Sequence, residues 1–324
     1  YLDELTSRLD GGGYSGSLMM MKSMGGLSRH DKVVHQPITI AYSGPSAGVL
    51  GMAWLADKIG EDKVLTYDMG GTSTDVALVE DGQPLLTTEG TLDIYPMKTP
   101  TIDLVSIGAG GGSIATLGTG NRLRVGPESA GADPGPACYG RGGEQPTVTD
   151  ANLVLGRVPG ALLSGNLELD ADAANAAVGS IAEQLGLSVE EAAYGILEIA
   201  AFTMAGAVRE VSVKRGRDTR EYTLFAYGGA GPLHAAQLAS LLGISKIVIP
   251  ANPGLGSCTG LLAADIKETA VRTVPTREDQ LDLGALDARF GELEDRVRAA
   301  VAEQGIDESA VVLERLADMR YVGM

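Results

Sequence analysis

Apolar residues fall in two rhythms along the chain: short continuous runs bounded by glycine, and longer stretches at helical spacing. Residues 64–67 and 76–79 are apolar runs on either side of Asp68-Met69-Gly70-Gly71-Thr72-Ser73-Thr74-Asp75, and the second run ends at Glu80-Asp81-Gly82. This pattern predicts two adjacent antiparallel strands of a central sheet joined by a glycine turn. Residues 17–22, 101–107, 222–227 and 244–250 read as further buried strands, and 37–42 as a short extended piece. Helical spacing predicts helices over residues 1–10, 43–60, 169–185, 188–213, 233–242 and 281–304, with a small-residue helix ending near Asp265. Ser43 is placed to cap the second of these, and Pro45 is tolerated in a first turn. The alanine-rich 169–185 helix reads as exposed. Glu190 and Glu191 follow Ser188 in a first turn, where acids complement the helix dipole. Thr147 through Asp150 caps a short helix. Strands alternating with helices make this a mixed α/β chain.

At 324 residues the chain is long enough for a large core and two compact lobes, with boundaries expected at 1–62, 63–270 and 271–324. Its formal net charge of −17 argues against a nucleic-acid or anionic-membrane partner, which would need clustered Lys and Arg. The two cysteines, Cys138 and Cys258, lie far apart and have no metal-ligand spacing; they read as thiols of a reducing cytoplasm. No apolar run approaches the ~20 residues that span a bilayer.

The chemistry concentrates in the glycine turns. Gly70 and Gly71 allow close backbone approach to an anion, while Thr72, Ser73 and Thr74 add amide and hydroxyl donors suited to phosphate. Asp68, at the strand end, is placed to hold a hydrated Mg²⁺. On the hairpin alone, a turn whose Asp and Thr serve local backbone groups fits equally well. Gly108-Ala109-Gly110-Gly111-Gly112-Ser113 is too glycine-rich for the interior of an element and is read as a loop presenting amides. Asp103, on the strand leading into it, is a candidate catalytic group or an edge carboxylate. Residues 118–143 form a Gly- and Pro-rich loop, and long loops in compact domains are usually functional. Arg122 and Arg124 alternate on a strand and receive no site role. Gly228, Gly229 and Gly231 lie between a strand and a helix, an order that aims helix N-terminal amides at a ligand. His234 either bonds a substrate or caps that helix. Cys258 has no histidine close by in sequence to activate it.

Asp68-Met69-Gly70-Gly71-Thr72-Ser73-Thr74-Asp75 resembles the phosphate loop of the hydantoinase A / 5-oxoprolinase family. Three further stretches match that family's pattern in order: 107–115, Val125 to Gly140 (which includes Asp133-Pro134-Gly135-Pro136), and Tyr227-Gly228-Gly229-Ala230-Gly231-Pro232-Leu233-His234. The resemblance implies an α/β ATPase fold of the actin, sugar kinase and heat-shock chaperone type (ribonuclease H-like), with ATP and Mg²⁺ as cofactors. It implies an enzyme that phosphorylates the oxygen of a cyclic amide or a ketone, with Asp68 in the Mg²⁺ and catalytic role. Gly70, Gly71, Thr72, Ser73, Gly110, Gly111, Gly112, Gly228, Gly229 and Gly231 would bind the nucleotide. A B-type hydantoinase subunit or domain is an implied partner. A sugar-kinase-like phosphotransferase and a non-catalytic nucleotide switch remain the alternatives.

The chain opens inside a helical pattern and stops at Arg320-Tyr321-Val322-Gly323-Met324 in what reads as a strand, the pattern of an internal piece of a longer polypeptide. Superfamily ATP sites use one phosphate loop from each of two lobes, and one such loop is found here. Positioning accounts for about 7–11 kcal/mol of a barrier in such reactions. The chain alone is therefore expected to bind ATP weakly and to hydrolyse it no faster than background. Calorimetric titration with a phosphate-release assay checks this, and robust turnover would overturn the two-lobe reading.

Overall fold

The structure is a computed structural model describing residues 1–92, 95–162, 165–319 and 321. It divides into two compact units, one of Tyr1–Ser43 with Ala264–Met324 and one of Gly44–Ala263. The expected strand at 320–324 lies, apart from Tyr321, outside the described residues.

The Gly44–Ala263 unit is built on a mixed sheet. Its strands are β1 (Lys63–Met69), β2 (Thr74–Glu80), β3 (Gln83–Pro84), β4 (Leu104–Ile107), β5 (Thr223–Tyr227) and β6 (Ile247–Val248). The order is β4-β2-β1-β5-β6, with β3 beside β4 along the same edge of β2. β1 and β2 pair antiparallel from Lys63↔Glu80 to Met69↔Thr74. β5 runs parallel to β1, Thr223↔Val64 through Tyr227↔Asp68.

The strands read as continuous apolar runs because both faces of the sheet are covered. Alternate residues Leu65, Tyr67, Met69, Val76, Leu78, Leu224 and Ala226 join one core cluster. That cluster also contains α2 (Val148–Val154), α3 (Ala171–Leu185), α4 (Val189–Val211) and α5 (Gly231–Leu242). The residues between them, Val64, Ala77, Val79, Phe225 and Tyr227, pack on Val49, Met52, Ala53 and Ala56 of the Ser43–Ile59 helix. Because side chains alternate along a strand, Asp68 and Asp75 project from the face that carries this second cluster.

Local signals set the helix starts. Ser188 and Glu191 form a reciprocal capping box on α4, and Thr147 and Asp150 form another on α2. The 169–185 helix differs from its expected exposure. Ala174, Ala177, Val178, Ile181 and Ala182 are buried, because small alanines let it lie close against α4. Residues 37–40 coil into a 3₁₀ turn instead of extending, and the 244–250 strand contracts to a short, partly exposed edge.

In the other unit, Met19–Met21 pairs with Leu27–Arg29, and Leu27 bridges Ile266. Lys22 and Glu268 form an ion pair at 3.1 Å, and the same carboxylate accepts from Ser28 and Gln304. These bonds bring residues 264–324 together with residues 1–43, whereas the sequence pattern suggested boundaries at 62 and 270. Both cysteines are free thiols, Cys138 buried and Cys258 exposed. Among the described residues no helix is long and apolar enough to cross a membrane.

The Gly256–Ala263 helix crosses the Ser43–Ile59 helix at backbone contact. A Cβ on Gly260 would lie 1.7 Å from the Ala47 carbonyl oxygen and 2.8 Å from the Gly51 nitrogen. Gly260→Ala must push the helices apart, at a cost of about 1–3 kcal/mol, lowering the melting temperature by several degrees. Gly254→Ala, with nothing within 4 Å of its Cβ position, should leave it unchanged. Equal melting temperatures for the two variants would contradict this packing.

Candidate functional site

The β1–β2 turn supplies the first wall. Gly70 donates to the Ser73 carbonyl at 3.0 Å and closes the turn. Gly71 and Thr72 are exposed at its tip, and among the described residues their amides have no protein acceptor. Beneath the tip, Asp68 and Asp75 stand directly opposite each other across the hairpin. Burial, and then the charge of Asp75, push the Asp68 carboxyl up to about 6. Burial also raises Asp75, partly offset by a hydrogen bond from Ser106. The Oδ1 atom of Asp75 is buried without a hydrogen-bond partner among the described residues. Two desolvated carboxylates side by side, one with an orphaned oxygen, suit a hydrated divalent cation. No third metal-binding side chain clusters with them among the described residues.

The second wall corrects an expectation. Gly110, Gly111 and Gly112 do lie against the turn, but they are buried and their amides are engaged. Gly110 donates to Ser113 Oγ at 2.8 Å, Gly111 to the Gly70 carbonyl at 3.0 Å and Gly112 to the Gly71 carbonyl at 2.6 Å. A Cβ on Gly110 would sit 2.6 Å from the Gly71 carbonyl carbon. The loop is thus a buttress that sets the shape of the Gly70–Gly71 backbone and presents no free amide from these three residues. It is pinned from behind: the Thr149 amide and hydroxyl both donate to the Gly111 carbonyl at 2.8 Å, and the Ala130 amide donates to Gly112 at 2.9 Å.

The third wall is the turn from β5 into α5. Gly228 adopts φ +83°, and a Cβ there would lie 2.3 Å from Asp68 Oδ1 and 2.4 Å from the Met69 carbonyl oxygen. Only glycine combines that backbone with that approach. The Ala230 amide donates to Met69 at 2.9 Å, and the Gly228 amide donates to Pro253 at 2.9 Å. Gly229 is exposed, and Gly231 opens α5 against the backbone of Tyr67 and Met69. The three glycine turns therefore meet around Asp68, and the Gly228 turn lies on its side of the lobe.

Asp103 does not join them. Leu104 pairs with Ala77 while Ile107 pairs with Thr74, so Asp103 precedes the end of β4 remote from the turn. It is buried and ion-paired with Arg215, in the turn that follows α4. His234 is fully buried beside Asn152 and does not cap its helix. Cys138 is buried beside the Asp150 carboxylate; burial first, and then the Asp150 charge, keep its thiol protonated.

Sequence reasoning passed over Asp75, Thr149 and Asp150. Asp75 was recoverable by counting the hairpin register from the glycine turn. Asp150 is fully buried and accepts from the Ala137, Cys138 and Thr147 amides, clamping the glycine- and proline-rich loop to α2. The Thr-x-x-Asp capping pattern signalled the helix start but not this second duty.

The raised Asp68 value has a definite sign. Its native carboxyl holds a proton that the unfolded chain, near 3.8, has released, so its contribution to stability is full below that value and is lost as pH rises through about 6. Asp68→Asn should therefore raise the melting temperature of ligand-free protein at pH 8, by the equivalent of about 1–2 kcal/mol after solvent screening, and leave it unchanged near pH 4. A lower melting temperature for the variant at pH 8 would contradict the burial of an unpaired charge.

The hydantoinase/oxoprolinase family model matches residues 1–270. The chain is 40% identical over 335 residues to an uncharacterized protein of Methanocaldococcus jannaschii, covering 100% of this chain and 49% of that one. It is 36% identical over 329 residues to the caprolactamase subunit alpha of Pseudomonas jessenii, covering 100% of this chain and 47% of the relative. The crystal structure of the ATP-dependent caprolactamase from that organism superposes with a TM-score of 0.81, over 93% of this chain and 44% of that one. The acetophenone carboxylase gamma subunit of Aromatoleum aromaticum is 39% identical over 246 residues, 74% of this chain and 33% of the relative. The chain spans about half the length, or less, of these relatives. Family match and full-length identity agree, and the chain belongs to the hydantoinase/oxoprolinase family.

Proposed function

We propose that the Gly44–Ala263 unit is one nucleotide-binding lobe of an ATP-dependent hydrolase of cyclic amides, with the actin, sugar kinase and heat-shock chaperone type of fold. The observation that carries this reading is the meeting of the Gly71–Thr72 amides, the Asp68–Asp75 carboxylates and the α5 N-terminus at one end of β1 and β5. That end is the carboxyl end of two parallel strands. There the chain leaves β1 by a hairpin to β2 on one side and leaves β5 through α5, the crossover to β6, on the other. Open α/β sheets bind ligands at such switch points.

The residues present fit ATP and Mg²⁺. Backbone approach at Gly110 and Gly228 leaves no room for a Cβ, and Asp75, with its orphaned oxygen, stands opposite a second half-buried carboxylate. Asp68 and Asp75 would hold Mg²⁺ through its water shell. The Gly71 and Thr72 amides would take phosphate oxygens, and Gly229 with the start of α5 would lie against the nucleoside. ATP, when bound, supplies a phosphoryl group that activates the amide carbonyl for ring opening. This chain's contribution is to hold and align that group, because phosphoryl transfer is governed by positioning and electrostatics.

Support for the amide substrate comes from the family and from caprolactamase, which matches along the whole chain. The acetophenone carboxylase relative favours a second reading, in which the oxygen activated belongs to a ketone. The names of both relatives specify subunits, which supports a partner subunit or domain of the B type completing the reaction.

The test uses the full-length protein with its partner. ATP hydrolysis is expected to rise on adding one of 5-oxoproline, a hydantoin or caprolactam. A response to acetophenone alone would select the ketone reading. Asp68→Asn should lower the turnover number and the specificity constant together, by about 100-fold or more. Turnover within a few-fold of wild type would remove Asp68 from the mechanism.

A further inference from the structure

Directly behind the candidate site is a buried polar pair that the nucleotide reading does not use. His234 stands one turn into α5, and Asn152 stands one turn after Thr149 in α2; they are 0% and 2% exposed. Asn152 Nδ2 lies 2.9 Å from the Val148 carbonyl and 3.4 Å from His234 Nε2. The first contact fixes the amide orientation, because the opposite one would set two carbonyl oxygens against each other. The second amide hydrogen then points to Nε2, which must accept it. The ring proton therefore sits on Nδ1. Burial first, and then the nearby Arg157 charge, lower the imidazole pKa to about 4, so the ring is neutral across the physiological range.

Two unpartnered atoms remain among the described residues: His234 Nδ1, a donor in this tautomer, and Asn152 Oδ1, an acceptor. Gln237 Oε1, one turn further along the same face of α5, is a third. Buried donors and acceptors of this kind are met by ordered internal water. An apolar core position would carry none of these groups.

The pair joins two of the walls. α5 begins at Gly231, packed on the backbone of Tyr67 and Met69, while α2 holds the 110–112 buttress through Thr149. We propose that His234 and Asn152 form a neutral dyad, completed by internal water, that fixes the spacing between the Gly228 turn and the 110–112 buttress, making His234 a positioning residue for the nucleotide. This rests on the nucleotide reading above. His234 touches none of the reacting groups, so its loss should act on ground-state binding more than on chemistry.

The experiment compares His234→Leu, His234→Gln and Asn152→Leu in the full-length protein with its partner. ATP binding to the wild type is measured first, and its failure would sink the nucleotide reading and this positioning role with it. With ATP binding established, His234→Leu is expected to raise KM for ATP about 10-fold while kcat falls less than about 3-fold. His234→Gln, which restores an acceptor toward Asn152, should return KM to within about 2-fold of wild type. Adding Asn152→Leu to His234→Leu should cost little more than either alone. A merely structural role would lower the melting temperature of all three variants and leave KM unmoved, which overturns the proposal. Should His234→Leu fail to fold, ¹⁵N spectroscopy of the wild-type imidazole decides: the Nδ1–H tautomer, uncharged at pH 6, supports the dyad, and an Nε2–H tautomer or a charged ring at pH 6 overturns it.

Discussion

Backbone-to-backbone approach around Asp68 is the constraint on which the rest of the Gly44–Ala263 unit depends. Parallel pairing of β5 with β1 sets Tyr227 beside Asp68, so the chain leaving Tyr227 must turn immediately over the carboxylate. Gly228 makes that turn at φ +83° with no atom to spare. From there the Ala230 amide returns to Met69 and α5 starts in register with the hairpin. On the other side the 110–112 loop bonds to both glycine carbonyls of the hairpin turn. Each glycine is costly in backbone entropy when it is ordered. The core clusters on both faces of the sheet offset that cost by burying most side chains of β1, β2 and β5.

The same geometry makes the site electrostatically unfavourable in the absence of a cation. Asp68 and Asp75 share one face, partly desolvated, with the fully buried Tyr227 phenol alongside and, among the described residues, no basic side chain bonded to either. Ion pairs of this unit lie elsewhere; among them, Arg217 with Glu80, Lys63 with Glu221 and Lys246 with Glu61 lie at the far end of the sheet. Stabilising charge pairs and destabilising like charges are thus separated to opposite ends of the same strands. This is the distribution expected where a ligand, and not the protein, supplies the compensating positive charge.

A second layer holds the walls without touching the cleft. Asp150 is a fully buried carboxylate with four hydrogen bonds from Ala137, Cys138 and Thr147, so its charge is solvated by amides and a hydroxyl. It ties residues 137 and 138, which follow an antiparallel hairpin of Ser113–Gly118 with Arg122–Ser129, to the start of α2. Thr149, one residue before, fixes the buttress, and Asn152, two residues after, meets His234. One short helix therefore carries the supports for three separate segments, and its own start is secured by a capping box.

What the sequence determined by itself was whatever short-range physics controls. The hairpin follows from two apolar runs about a glycine turn, the starts of α2 and α4 from capping residues three apart, and the tight turns from clustered glycine. The family likeness rests on the same local motifs in the same order. The tertiary structure decided which groups were already committed. Gly110, Gly111 and Gly112 read as ligand amides until Ser113 of their own loop and the carbonyls of the hairpin turn used those amides up. Asp103 read as a catalytic candidate or an edge carboxylate until the turn after α4 delivered Arg215 to it. The alanine-rich 169–185 helix read as exposed because alanine carries little apolar signal, and only its seat against α4 reveals the buried face. Residues 264–324 came together with the start of the chain through the Glu268 carboxylate, shared by Gln304 with Lys22 and Ser28, the last two 246 and 240 residues away in sequence. A hydrogen bond or ion pair is indifferent to sequence separation, so periodicity and motif reveal the groups available, and only the folded chain reveals which of them are still free.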